Sequence, residues 1–163
     1  LGKKFHFDLV RPGLALYGSV PGHLQNNLKN CISLYGRVLQ IREVDKGQLI
    51  GYGGTYKLPK KSRIATIGVG YADGYQRALS GSSTVFHHGF PLPVVGRISM
   101  DSITVDISSL PDNNLKEGNF LELLGKNFTI DEAASLAQTV PYEMITGLGR
   151  RHYRYYNQIK DGL

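Results

Sequence analysis

Few residues in this 163-residue chain are spaced for chemistry that spacing alone identifies. There is no defensible Ser–His–Asp arrangement, no HExxH motif, no phosphate-binding P-loop and no dinucleotide fingerprint. The five histidines are scattered, apart from His87-His88 beside a turn. Adjacent strand residues point to opposite faces, so that pair makes a poor chelate and no metal site is expected. Cys31 is the only cysteine, which excludes an internal disulfide and a cysteine-based zinc site and fits a reducing cytoplasm. Asp73, Asp101 and Asp106 follow or lie within strand-like runs, where turns and ladder ends commonly hold Asp. Tyr71 closes the run RIATIGVGY. By itself it reads as an amphipathic ring packed at a strand end. Taken alone, these residues describe a β-rich domain and no particular reaction.

The elements that must position them are mostly strands. CISLYGRVLQIREV (31–44) is rich in branched and aromatic residues and ends at the turn signal Asp45-Lys46-Gly47. In 63–71, Ala65, Ile67, Val69 and Tyr71 alternate onto one predicted face, while Gly68 and Gly70 leave room on the other for a close approach. STVFHH, VVGRIS, SITVDI and NFLELLG read as further strands, with a hairpin turn at His88-Gly89 and a stop at Gly125. Thr129 to Glu132 matches a capping box, followed by an apolar stripe of Ala133, Leu136, Ala137 and Val140. Pro141 is expected to interrupt it, and YEMITGL to form a second short helix stopped at Gly149. The fold class expected is mainly β, a barrel or sandwich with a late helix.

The first residues, KKFHFDLVRPG, read as a strand entering a loop. The chain opens at Leu1 without a signal-peptide pattern and is expected to be cut from something longer. Residues 19–30 are polar with Pro and Gly and read as a linker. The net charge of +6 is dispersed apart from Lys57, Lys60, Lys61 and Arg63, which flank a predicted hairpin loop. On that charge and the many tyrosines the chain could be a nucleic-acid-binding β-barrel. It lacks a basic stripe and an aromatic cluster on any one strand, so nucleic acid is not expected as a partner, and neither is a membrane.

Three segments in order add more: RPGLALYG (11–18), GYADGY (70–75) and VGRISMD (95–101), with GYGGTY (51–56) between the first two. Together with LELLG, IDEAASLA and PYEMITGLG, they resemble the alanine racemase family over essentially the whole chain. The resemblance implies an isomerase that interconverts L- and D-alanine by a two-base mechanism, for peptidoglycan synthesis in a bacterial cytoplasm. It implies a pyridoxal 5'-phosphate cofactor held on a lysine of an N-terminal (β/α)8 barrel, then a C-terminal β domain. Residues 1–18 would then be the barrel end, 19–30 the linker and 31–163 the C-terminal domain. None of the ten lysines here sits in a context resembling the cofactor lysine, so this chain alone is expected to be inactive.

By the same resemblance, Tyr71 is the catalytic tyrosine. A racemase removes a proton from one face of a planar carbon and returns one to the other, so two groups are needed. A free phenol ionises near pH ~10, so a phenol base needs positive charge beside it. Met100 would offer its backbone N–H to the substrate carboxylate. Arg11 would face the cofactor's ring nitrogen and, being permanently charged, keep that nitrogen largely unprotonated. Gly13 and Leu14 would hold the phosphate through backbone amides. Arg97 and Asp101 would line the entry corridor or form a structural ion pair. The resemblance further implies a homodimer in which Tyr71, Met100, Arg97 and Asp101 act in trans. One departure stands out: where some members place a phosphate-contacting tyrosine, this chain reads Gly149-Arg150-Arg151. That leaves a broader-specificity or serine racemase of the same fold as an alternative.

Overall fold

The computed structural model describes residues 2–19 and 28–157. Eight strands form in chain order: β1 Leu34–Val44, β2 Leu49–Ile50, β3 Tyr56–Lys57, β4 Ser62–Ile67, β5 Thr84–His87, β6 Phe90–Pro93, β7 Ile103–Asp106 and β8 Phe120–Leu124. Two helices follow, α1 Ile130–Leu136 and α2 Pro141–Gly147. Six strands make one antiparallel sheet in the order β6-β5-β8-β1-β4-β7, and β2 pairs with β3. The outer edges of the large sheet meet. Val94, just past β6, bridges Val105 of β7, and the Val95 N–H donates to the Thr104 carbonyl at 2.9 Å. The sheet is therefore a nearly closed barrel, which removes most of its open edge. The expected mainly β barrel is what forms, with two short helices beyond it.

Strand β1 makes the curvature. Its first residues pair with β8 and its later ones with β4, and the register slips between Val38 and Gln40. Such a slip bends a strand and lets it serve both neighbours. Inside the bend a Cβ on Gly36 would lie 2.5 Å from Ile67 Cγ2, so only glycine fits there. The barrel interior is filled by Ala65, Ile67, Val85, Leu92, Ile98, Ile103, Val105, Leu121 and Leu123, all essentially without solvent contact. Each large aliphatic side chain buried this way contributes roughly 1.5–3 kcal/mol. A smaller cluster, Val44, Ile50, Leu58, Ile64 and Val95, sits beneath the β2–β3 ribbon.

Local turn chemistry forms as its residues dictate. His88 and Gly89 both take positive φ, 49° and 83°, as a two-residue hairpin loop requires. The capping box is complete: Thr129 Oγ1 accepts from the Glu132 N–H at 3.2 Å, and Glu132 Oε2 accepts from the Thr129 N–H at 2.7 Å.

Five expectations need correction. The 63–71 strand ends at Ile67, where the Val69 N–H turns back to the Ile67 carbonyl. Tyr71 therefore leaves the buried face of Ala65, Ile67 and Val69 and starts a 3-10 turn, Tyr71–Asp73. VVGRIS is not a strand beyond the Val94 bridge, because Gly96 at φ 74° turns the chain out of the ladder. KKFHFDLVRPG forms a 3-10 turn at Lys3–Phe5 and no strand, since no neighbouring strand here accepts its hydrogen bonds. The helical stripe is shorter than expected. α1 stops at Leu136, so Ile130, Ala133 and Ala134 are buried while Leu136 and Val140 are exposed. Pro141 opens α2 at its first turn rather than breaking a helix, and α2 ends at Gly147, two residues before Gly149. Most of the expected linker, residues 20–27, lies outside the described residues.

Candidate functional site

Three of the four motifs converge on one loop. VGRISMD (95–101) runs between two glycine-rich turns, one carrying Tyr52 and the other Tyr71. On the first side the backbones of Gly51 and Gly96 are in contact, both at positive φ. A Cβ on Gly51 would lie 2.8 Å from the Arg97 nitrogen, and one on Gly96 2.9 Å from Gly51 Cα. The Tyr52 N–H donates to the Arg97 carbonyl at 3.2 Å. On the second side the N–H groups of Tyr71 and Ala72 donate to the carbonyls of Ser99 and Met100, each at 3.0 Å. A Cβ on Gly70 would collide with those same two carbonyls, which is why a glycine precedes Tyr71. Ser99 closes the tip: its N–H and its Oγ both donate to the Ser102 carbonyl, at 3.0 and 2.8 Å. Met100 and Asp101 project from that tip.

The result is an open shelf. Tyr52, Tyr71 and Met100 are 60 %, 40 % and 53 % exposed, although the backbone beneath them is tightly hydrogen bonded. The Met100 N–H donates to no described residue, so it is free for a ligand. Arg77, from a 3-10 turn at Arg77–Leu79, places its guanidinium carbon 5.5 Å from the centre of the Tyr52 ring. A cation at that distance is attracted by the face of the ring. No such cation contact is found at Tyr71 among the described residues.

A second charged group ties the shelf to the C-terminal segment. Asp73 is 8 % exposed. Its Oδ2 accepts from the Gly70 N–H at 2.9 Å, and its Oδ1 faces Arg151 Nε at 3.4 Å. Arg151 then donates to Asp101 Oδ1 at 2.6 Å. The Asp101 hydrogen bond, with the charge of Asp73 behind it, raises the guanidinium's pKa above its usual value. His152 Nε2 donates to the Asp73 carbonyl at 2.6 Å, and Arg154 to those of Leu148 and Gly149 at 3.1 and 3.0 Å. Asp101 thus has Arg151 as its partner, not Arg97. Arg97 is exposed and makes no ion pair among the described residues.

Arg11, Gly13 and Leu14 lie apart from this shelf. Gly13 and Leu14 open the 3-10 turn Leu14–Tyr17, and their N–H groups donate to no described residue. Gly13 abuts the Tyr142 hydroxyl of α2, and Ser19 Oγ donates to Asp131 Oδ1 of α1 at 2.5 Å, which docks the segment on both helices. Arg11 is exposed without a partner among the described residues. No hydrogen bond or ion pair between described residues joins 11–14 to Tyr52, Tyr71, Met100 or Asp101. The sequence alone gives Tyr52, Arg77 and Arg151 no role in the site. The GYGGTY motif did mark Tyr52; nothing local marked the two arginines.

Comparison with known proteins gives this geometry a family. A family model described as the alanine racemase C-terminal domain matches residues 31–156.

The chain belongs to the alanine racemase family.

An alanine racemase of Brucella canis is 45% identical over 176 residues, covering 99% of this chain and 44% of that protein. A catabolic alanine racemase of Agrobacterium fabrum is 44% identical over 159 residues, covering 97% and 41%. The crystal structure of the Bartonella henselae alanine racemase with covalently bound pyridoxal phosphate superposes with a TM-score of 0.90 at 43% identity, over 96% of this chain and 44% of that one. The chain spans less than half the length of these racemases.

Proposed function

We propose that this chain is the C-terminal part of a pyridoxal-phosphate-dependent alanine racemase and contributes one of the enzyme's two proton-transfer groups. The observation that carries the reading is the shelf itself: a phenol beside a guanidinium and a free backbone N–H, brought together around the 95–101 loop, in a chain 45% identical to an alanine racemase.

The residues present fit the cofactor. The unpaired N–H groups of Gly13 and Leu14 suit a phosphate, and Arg11 offers a guanidinium for the ring nitrogen. Pyridoxal phosphate, when bound, draws electrons from the substrate's α-carbon and so acidifies its C–H bond. The chain's own residues then have defined tasks. The Met100 N–H donates to the substrate carboxylate and fixes one end of the amino acid. Tyr52 exchanges a proton with one face of the α-carbon, and Arg77 stacks on its ring and orients it. The opposite face needs a second base, the family's cofactor lysine.

Sequence similarity assigned the proton transfer to Tyr71. We assign the base to Tyr52 instead, because among the described residues it is Tyr52, and not Tyr71, that has a guanidinium against its ring. Tyr71 remains the second reading, favoured by its lower exposure and its firmly bonded turn. In the first reading its ring borders the substrate's path, with Arg97 and Asp101 along the same entry.

Groups this exposed work in a water-excluding site only when another surface covers them. We place that surface on a second copy of the full-length protein, making a homodimer with this shelf acting in trans. No helix among the described residues is long and apolar enough to cross a membrane. We propose a cytoplasmic enzyme that supplies D-alanine for peptidoglycan. A serine or broad-specificity racemase is the alternative, since the chain reads Gly149-Arg150-Arg151 where some members place a phosphate-contacting tyrosine, in a region that influences substrate size. Substrate profiling of the full-length protein with pyridoxal phosphate decides. Alanine turnover exceeding serine turnover supports the reading, comparable rates favour the alternative, and no amino-acid racemisation refutes both.

A further inference from the structure

Arg151 sits between two carboxylates that the proposed reaction leaves without a task. Asp101 directly follows Met100. Asp73 belongs to the turn whose amides bond the Ser99 and Met100 carbonyls. Both negative charges therefore border the place where the substrate's carboxylate would arrive. Asp73 is nearly buried, so water screens it weakly. The guanidinium of Arg151 reaches both, at 2.6 Å to Asp101 and 3.4 Å to Asp73.

We propose that Arg151 is a positioning residue that sets affinity for the substrate carboxylate, by neutralising Asp73 and Asp101 and holding the Asp101 side chain away from the Met100 N–H. This rests on the reading that Met100 receives that carboxylate. Two like charges brought within several ångströms repel strongly in a partly enclosed site, and salt weakens that repulsion. A purely structural arginine would show neither the charge dependence nor the salt dependence.

The test uses the full-length enzyme with its cofactor. KM and kcat for L-alanine are measured together with the Kd of propionate, a carboxylate probe read by calorimetry. Arg151→Gln should raise KM and propionate Kd about tenfold at low salt, with kcat changed less than about threefold. Salt that shortens the screening length to roughly 4 Å should bring both constants part of the way back, by screening the exposed Asp101 more than the buried Asp73. Adding Asp101→Asn to Arg151→Gln should do the same, and Arg151→Lys should stay near the parent. Unchanged constants in Arg151→Gln overturn the proposal, as does a rise that neither salt nor Asp101→Asn relieves. If Arg151→Gln does not fold, Asp101→Asn with Arg151 intact should tighten propionate; unchanged or weaker binding overturns the proposal. Propionate binding that depends on Arg151 in an enzyme that does not racemise alanine would sink the functional reading and leave this one standing. Racemisation with constants indifferent to Arg151 would do the reverse.

Discussion

Two tyrosines show how burial and charge separate roles at the scale of one residue. Tyr75 lies five residues after Gly70, fully buried, and its hydroxyl finds no hydrogen-bond partner among the described residues. Burial pushes its pKa up to about 12, with nearby Ser83 pulling weakly the other way, although the Ser83 hydroxyl itself donates to the Leu79 carbonyl. The folded state therefore resists ionisation that the unfolded chain permits near pH 10.0. Tyr75 supports stability below that pH, and the support is lost as pH rises toward about 12. Urea unfolding across this alkaline range should show a decline that Tyr75→Phe makes shallower. Because the hydroxyl is unpartnered, Tyr75→Phe should be neutral or stabilising at pH 7. A loss above about 1.5 kcal/mol there would mean the hydroxyl has a partner after all. Tyr52 is the opposite case, exposed and beside a cation. Tyr52→Phe should lower kcat by about 10²–10⁴-fold with little effect on folding.

At the scale of the element, features set by local chemistry were legible from sequence and those set by distant contacts were not. The His88-Gly89 hairpin, the Thr129–Glu132 box and the Asp45-Lys46-Gly47 turn depend on residues within a few positions. Thr129→Ala should accordingly cost about 1 kcal/mol in thermal or urea unfolding, and no loss would mean the cap is idle. The end of β4 was not legible. Alternation continues to Tyr71 in sequence, but the chain leaves the strand at Ile67 so that Gly70 can lie against the Ser99 and Met100 carbonyls. Gly70→Ala should therefore cost about 1–3 kcal/mol and loosen both site turns, a change that hydrogen exchange at the Tyr71 and Ala72 amides would report. Site residues divide the same way. Motif order exposed Tyr71, Met100 and Asp101. The Arg151–Asp101 contact joins residues 50 apart, and the stacking of Arg77 on Tyr52 depends on the folded loop, so neither leaves a local signal.

At the scale of the whole molecule, barrel closure through Val94 and Val105 gives the 95–101 loop a rigid base, and the shelf it supports is left open. An open half-site predicts sharing between subunits. Full-length Tyr52→Phe and a full-length variant lacking the cofactor lysine should each be inactive, yet mixed dimers should regain activity, because one of their two sites is intact. No recovery on verified subunit exchange would place both bases in one subunit. If Tyr52 serves one face of the α-carbon, Tyr52→Phe removes one of two proton transfers and leaves the other. L- and D-alanine are equal in energy, so kcat/KM must fall by the same factor in both directions and turnover cannot show which base is missing. Exchange of the Cα hydrogen with deuterated solvent can. In Tyr52→Phe, racemisation should collapse while one enantiomer alone keeps exchanging through the remaining base. Symmetric exchange with near-normal racemisation in Tyr52→Phe, and one-sided exchange in Tyr71→Phe instead, would contradict the account.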